Sequence, residues 1–278
     1  RDFCLSRGLG DVYKRQVVCR LAGEFAESDF EAKAFELPID VDGAVHSKVI
    51  PLQDGGSLRI RGSVDRVDVL EQDGQQFVRV VDYKSGAKAF RLADIVNGLN
   101  LQMFLYLFNV CADDSNPYAG VPAGVLYMHA ARSVLTVETK SSAERDIAGQ
   151  EDKAFGMNGI VITNPDCDIP AAMEHDLAGK YIPVRLKKSG VGGSLASLEQ
   201  LGLLQRKIEA LVADMGNALQ NGQIGQHPVQ AKDHDKTCEY CDFASVCAFK
   251  KSVTPRTYDD QTDSAVLAEL EKEGENHA

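Results

Sequence analysis

The chain has 278 residues, of which 44% are hydrophobic and 26% charged, with a net charge of −11. Those proportions suit a globular protein; no apolar run approaches the ~18 residues of a membrane span, and no basic segment followed by an apolar core marks a secretory leader. The expectation is a cytoplasmic protein without membrane contact. In that setting seven cysteines point to metal ligation or buried thiols rather than disulfides.

An acidic chain argues against a nucleic-acid partner, but the charge is unevenly spread. Residues 259–278 carry seven acids against Lys272, whereas residues 59–91 hold seven Lys/Arg against five Asp/Glu. Lys187, Lys188, Lys250 and Lys251 add basic spots, which a solvated surface would also explain.

In chain order, residues 1–16 lack an initiator Met, and CLSRGLGDVYKRQ reads as translated adaptor sequence, so this stretch is set aside as non-native. Residues 17–34 read as the remainder of a helix, with Val18, Leu21, Ala22 and Phe25 at helical spacing. From 35 to 84 strand patterns alternate with turn signals at 41–43, 54–56 and 72–74. The alternating phase switches at Asp65–Arg66, which predicts a bulge there. A helix is expected over 92–110, a strand over 124–130, and a long amphipathic helix over 194–221 whose apolar positions Leu201, Leu204, Ile208, Leu211, Met215 and Leu219 step by three or four. Residues 133–190 read as irregular, and 253–278 as a mobile acidic tail.

Two constellations carry chemistry. In GSVDRVD at 62–68 and VVDYKSG at 80–86, Asp82 and Lys84 share a strand face, next to a hairpin partner that holds Asp65. Two carboxylates and an ammonium at one sheet edge suit metal-assisted phosphodiester hydrolysis: hard oxygen ligands hold Mg2+, and the lysine orients water or stabilises developing charge. A surface hairpin with an Asp–Lys pair is the bland alternative. Asp68, three residues on, falls on the opposite face and reads as structural or paired with Arg66. The second constellation is CEYCDFASVC, with Cys238, Cys241 and Cys247 spaced C-x2-C-x5-C. The short loop is expected to keep the three thiols close together. That density suits a metal centre, and spacing alone would suggest zinc.

The G-x-x-D strand, the strand ending D-Y-K-S-G and the helix containing LQMFLYL resemble the RecB family of PD-(D/E)XK nucleases. The resemblance implies that Asp65 and Asp82 bind metal, that Lys84 assists catalysis, and that Gln102 and Tyr106, at i and i+4, form the family's Q-x-x-x-Y pair. Glu36 is the candidate for the further upstream acidic ligand; His46 is a poor match to the family histidine. The downstream cysteines, His227-Pro228 before them, and YIPVRLKKSG at 181–190 are similar to the nuclease domains of AddB-type helicase–nuclease subunits. That similarity implies a 4Fe–4S cluster on Cys238, Cys241 and Cys247. Its fourth cysteine lies upstream in the family; Cys4 falls in the suspect stretch and Cys19 lacks the expected context, so this ligand is expected to be absent from the chain.

The expected fold is α/β and restriction-endonuclease-like: a mixed sheet from 35–84 and 123–130 flanked by helices, with a C-terminal helix and cysteine-rich segment. Residues 17–190 would be the nuclease core, 191–252 the helix and iron–sulfur segment, and 253–278 the tail. The expected function is a magnesium-dependent DNA exonuclease module of an AddAB-type helicase–nuclease, working with DNA and an AddA-type partner subunit in repairing double-strand breaks. A stand-alone RecB-like iron–sulfur nuclease of the CRISPR-associated type, or a metal-stapled scaffold that binds without cutting, are the alternatives.

Overall fold

A computed structural model describes residues 17–84, 89–129, 156–231, 238, 241–247 and 255–276. The 1–16 stretch with Cys4, and 133–155 of the segment read as irregular, lie outside the described residues. The chain divides into two compact units: residues 1–47, 61–90 and 103–198, and residues 48–60, 91–102 and 199–278.

The first unit is built on a seven-stranded mixed sheet. Helix α1 (residues 17–26) precedes β1 (Glu31–Asp40) and the short β2 (Val45–His46). Strands β5 (Gly62–Gln72) and β6 (Gln75–Lys84) form an antiparallel hairpin closed at Gln72↔Gln75. Its two loop residues, Asp73 and Gly74, both have positive φ, 52° and 78°. That is the mirror-image turn a twisted hairpin needs, and Asp-Gly supplies it cheaply. Strand β7 (Val121–His129) runs parallel to β6, β8 (Asn158–Thr163) antiparallel to β7, and β11 (Leu195–Ser197) parallel to β8. The order across the sheet is β11-β8-β7-β6-β5-β1-β2.

Both faces of the central strands are covered. On one face Leu70, Phe77, Val81, Leu126, Met128 and Val161 form a core with Phe30, with Ile169 and Met173 of α4 (Ile169–Met173), and with Ile182 and Val184. On the other lies α3 (Gln102–Ala112), with Met103, Phe104, Tyr106, Leu107 and Phe108 buried. Phe90 lies between Phe104 and Tyr127, at ring-centroid distances of 6.2 and 6.3 Å.

This two-sided burial corrects the expected bulge at Asp65–Arg66. The β1–β5 register passes this point without a shift, Phe35↔Arg66 then Leu37↔Val64, and the β5–β6 pairing runs from Arg66↔Val81 to Gln72↔Gln75. The change of phase arises because both faces of β5 are buried, so apolar residues occupy both phases. Register shifts fall instead between Ala32 and Ala34 on β1 and between Val78 and Arg79 on β6.

The second unit holds a hairpin of β3 (Val49–Pro51) and β4 (Ser57–Arg59), α2 (Leu92–Val96), and a parallel pair β12 (Val229–Ala231) and β13 (Arg256–Tyr258). It also holds the bulk of α5 (Leu198–Gln220), α6 (Ala244–Cys247) and α7 (Asp263–Asn276). The single helix expected over 92–110 is broken: Gly98 and Asn100 take positive φ, 87° and 56°, and separate α2 from α3. The expected mobile tail contains a helix. Val266, Leu267 and Leu270 of α7 are buried, each a contribution of ~1.5–3 kcal/mol, while Gln200 and Lys207 of α5 reach Glu271 and Glu273 at 2.8 and 3.2 Å. Acidic composition hid an amphipathic pattern. Among the described residues no helix is long and apolar enough to cross a membrane.

Candidate metal and nuclease site

Sheet register aligns the candidate residues in one row. The β5–β6 pairing ends at Arg66↔Val81, and continuing that register by one step would set Asp65 opposite Asp82. Asp82 pairs with Tyr127, and Tyr127 with Asn158. On the other side, Glu36 falls between Phe35↔Arg66 and Leu37↔Val64, opposite Asp65. Directly opposed residues share a face, with Cβ atoms ~4.5–5.5 Å apart. By that register Glu36, Asp65, Asp82 and Tyr127 fall on four adjacent strands, with Asp82 and Tyr127 directly paired.

Glu36 enters the row by a local distortion. Its φ of 48° is left-handed, a state that costs a non-glycine residue ~1–3 kcal/mol. The distortion breaks strand alternation, so that Ala34 and Leu37 are both buried. The Ser63 hydroxyl donates to Glu36 Oε2 at 3.3 Å. Ser63 is two residues from Asp65 and shares its face, so this bond brings the Glu36 carboxylate to Asp65's side of the sheet.

Asp65 Oδ2 accepts the Tyr83 N–H at 2.9 Å, which ties β5 to β6 at the site. Asp82 is buried, and Lys84 Nζ lies 2.6 Å from its Oδ2. The contact is close but poorly directed: Oδ2 accepts no hydrogen bond of normal geometry. A buried carboxylate oxygen left so is expensive unless something else pairs with it. Lys84 Nζ is also 5.8 Å from the Tyr127 ring centre. Burial, and secondarily the Asp82 charge, push the Tyr127 phenol well above the ordinary tyrosine range, so it stays protonated.

Tyr106 is buried against the start of β5, where a Cβ on Gly62 would overlap its hydroxyl. That contact explains the glycine of G-x-x-D: only hydrogen leaves room for the tyrosine three residues before Asp65. Gln102 opens the same helix one turn earlier and is exposed. His46 lies at the edge strand, its backbone N–H bonded to Asp113 Oδ2 at 2.7 Å.

The back of the hairpin holds a sealed ionic quartet. Arg66 Nη2 lies 2.7 Å from Glu24 Oε1 and 2.9 Å from Asp68 Oδ2. Arg79 Nη2 lies 2.7 Å from Glu24 Oε1, and its Nε 2.8 Å from Asp68 Oδ2. All four side chains are at most 1% exposed. Burial alone would lower the Arg66 pKa, but Asp68 and Glu24 outweigh it and push it up. Arg66 Nη1 also donates to the Tyr83 hydroxyl at 3.2 Å, so the quartet touches the residue whose backbone holds Asp65. Asp68 thus sits on the opposite face, paired with Arg66 as expected. Glu24 escaped the sequence reading, although Arg66, Asp68 and Arg79 in strands this apolar were a signal that a partner was needed.

The row's donors are all oxygens, with two to three carboxylates facing one ammonium, which fits a hard divalent cation better than a soft one. Among the described residues, no group of three or more His, Cys, Asp or Glu side chains is gathered into a ready-made metal cage. Cys238, Cys241 and Cys247 likewise form no such cage. Cys238 and Cys247 are partly buried, Cys241 is exposed, and all three are free thiols. The C-x2-C turn itself is present, with Cys241 N–H donating to the Cys238 carbonyl at 3.4 Å.

A family model described as PD-(D/E)XK nuclease superfamily matches residues 8–248, beginning inside the stretch read above as non-native. Three relatives carry one name, that of a subunit of an ATP-dependent helicase/deoxyribonuclease. The one from Clostridium botulinum strain Hall is 28% identical over 96% of this chain and 24% of its own length. That from Ruminiclostridium cellulolyticum is 32% identical over 81% of this chain and 20% of its own. That from Acetivibrio thermocellus is 30% identical over 93% of this chain and 24% of its own. The chain therefore spans about a quarter of the length of the curated relatives it matches.

Proposed function

Because the chain belongs to the PD-(D/E)XK nuclease superfamily, we propose that it is the magnesium-dependent DNA exonuclease module of an AddAB-type helicase–nuclease. In this reading it works beside an AddA-type partner to process double-strand breaks for recombinational repair. The observation that carries the proposal is the register row: Glu36, Asp65 and Asp82 on three adjacent strands, with Lys84 2.6 Å from Asp82. The names of relatives that match nearly the whole chain favour this setting over a stand-alone nuclease.

Asp65, Asp82 and Glu36 would hold the cation, which when bound polarises the phosphate and lowers the pKa of water. Asp82 offers the buried oxygen that accepts no directed bond. Asp65 keeps one oxygen for the cation, since the Tyr83 N–H takes Oδ2. Lys84, partly exposed, orients the attacking water or stabilises charge developing on the phosphate oxygens. Tyr127 supplies a protonated hydroxyl, and Tyr106 with Gln102 would set the position of the strand beyond the metal.

The cysteine segment is proposed to carry a 4Fe–4S cluster on Cys238, Cys241 and Cys247 with a fourth ligand from elsewhere in the complete protein. The C-x2-C-x5-C spacing and the three free thiols support it. The complete protein should show broad visible absorbance that Cys241→Ser bleaches; zinc without iron after anaerobic preparation would refute the cluster.

The nuclease reading is tested by magnesium-dependent cutting of linear DNA by the full-length protein with its partner. Asp82→Ala should lower the rate about a thousand-fold or more, equivalent to ~4 kcal/mol, and leave ATP-driven unwinding in place. Cutting within tenfold of wild type would remove Asp82 from the site.

A further inference from the structure

An acidic chain can still carry a local cationic arm, and this one does. Residues 177–198 contain Lys180, Arg185, Lys187 and Lys188 and no Asp or Glu, in a chain of net charge −11. The centre of this segment is an antiparallel hairpin of β9 (Val184–Lys187) and β10 (Gly190–Gly193), with Lys188 and Ser189 at its tip. Arg185, Lys187 and Lys188 are exposed.

The two faces of the hairpin are unlike. Arg185 is paired with Gly192 and Lys187 with Gly190, so the cationic face has no side chain across from either charge. The Lys187 side chain lies along that gap, and a Cβ on Gly192 would stand 3.2 Å from its Nζ. The result is a flat cationic strip that a polymer backbone can approach closely. Arg185 and Lys187, at i and i+2, stand about 7 Å apart along the strand, about two nucleotides of rise. The other face exposes Leu186, 63%, directly opposite Val191, 42%. A two-stranded hairpin with an uncovered apolar pair is marginal by itself.

Topology puts this strip at the working end of the sheet. The site row ends at Asn158, the partner of Tyr127. The next residue outward, Met157, donates its N–H to the Tyr181 carbonyl at 2.9 Å, in the segment leading into β9. Ser194, just after β10, accepts the Val161 N–H and leads into β11. The hairpin therefore springs from the sheet end that carries Asp82 and Lys84, from the edge two strands beyond β7. Its root, Ile182 and Val184, packs with Val81 and Leu126 on the face away from Asp82; three strand spacings of ~4.8 Å and the ~10 Å between the Asn158 and Val161 rows put Ser194 about 17 Å from Asp82.

We propose that the β9–β10 hairpin is a substrate strap: Arg185 and Lys187, with Lys188 at the tip, hold phosphates of the DNA strand a few nucleotides away from the scissile bond. The inference rests on the nuclease reading above and adds where the strand runs. A solvated surface would explain isolated lysines. It would not explain the acid-free stretch, the glycines opposite Arg185 and Lys187 and the placement at the site end together.

The test uses the full-length protein in its complex, comparing wild type with the triple variant Arg185→Ala, Lys187→Ala and Lys188→Ala. For long single-stranded DNA the KM should rise roughly tenfold, and the log–log salt slope should fall in magnitude by ~2.1 for three lost phosphate contacts. Hydrolysis of bis-p-nitrophenyl phosphate, too small to reach the hairpin, should be unchanged. An unchanged KM and salt slope would overturn the strap. Equal loss on both substrates would assign the hairpin a structural role and also overturn it. If wild type cuts neither substrate, the nuclease premise falls; a Lys188→p-benzoylphenylalanine variant then decides separately, without metal, by cross-linking to a labelled oligothymidylate. Cross-linking supports strand contact at the hairpin, and its absence refutes it.

Discussion

The two faces of the β5–β6 hairpin both carry charge, and they treat it in opposite ways. On the back, Arg66 and Arg79 meet Glu24 and Asp68 in a neutral quartet whose side chains are at most 1% exposed. On the front, Glu36, Asp65 and Asp82 face Lys84, which is 28% exposed beside Asp82. The back is balanced and closed to water. Both faces leave buried polar atoms without a directed bond, Arg66 Nε, Asp68 Oδ1 and Arg79 Nη1 behind and Asp82 Oδ2 in front; only the front adds excess negative charge and a left-handed glutamate. Sealed charge specifies structure, whereas unbalanced charge at an accessible edge is a request for a cation. The lesson is that burial of charge does not by itself mark a functional site; imbalance does.

That contrast can be broken from the back. Arg79→Ala leaves Glu24 and Asp68 short of a partner in a dry interior, and should destabilise the nuclease unit by ~3–5 kcal/mol. Scanning calorimetry of the full-length protein, supported by limited proteolysis, would read it; a transition within ~1 kcal/mol of wild type would show that water enters the quartet.

It can also be broken from the front. Lys84→Ala should lower DNA cutting by ~10²–10³-fold, the scale for losing one preorganised donor, with the unfolding transition unmoved. A variant that cuts normally, or one that melts early, would dissolve the distinction between the faces.

Tyr83 joins the two faces, since its hydroxyl accepts from Arg66 and its N–H donates to Asp65. Tyr83→Phe removes only the hydroxyl and should cost ~0.5–1.5 kcal/mol of stability, with a smaller effect on cutting. An effect on cutting as large as that of Lys84→Ala would place Tyr83 in the chemistry instead.

The smallest effect is expected at an exposed pair in the same unit. His175 Nε2 lies 2.8 Å from Asp29 Oδ1, and that hydrogen bond raises the histidine pKa. A raised folded pKa means that the contribution is complete below the unfolded value and is lost as pH rises through the folded one. Wild type should therefore lose slightly more thermal stability than His175→Gln between about pH 6 and 8. Parallel Tm–pH curves would show that the pair contributes nothing.

Much of the front face was legible because short-range rules fix it. The Asp-Gly turn at 73–74 sets the register that puts Asp65 opposite Asp82, and strand alternation puts Lys84 beside Asp82. The contact of Tyr106 with Gly62 links two motifs that spacing could only place separately. Long-range features were less legible. Glu24 reaches Arg66 across 42 positions, and a helix read for its apolar stripe gives no hint of that pairing. The break between α2 and α3 depends on Asn100 adopting a left-handed backbone, which asparagine permits but does not announce. Around α7, seven acids between 259 and 275 masked the three apolar residues that dock it.

The central claim is that the row of carboxylates holds a divalent cation. Titrating Mn2+ into the full-length protein and following free Mn2+ by electron paramagnetic resonance tests it without reference to turnover. Wild type should bind one cation that Asp65→Asn and Asp82→Asn both fail to bind at the same concentrations; equal binding by all three proteins would contradict the account.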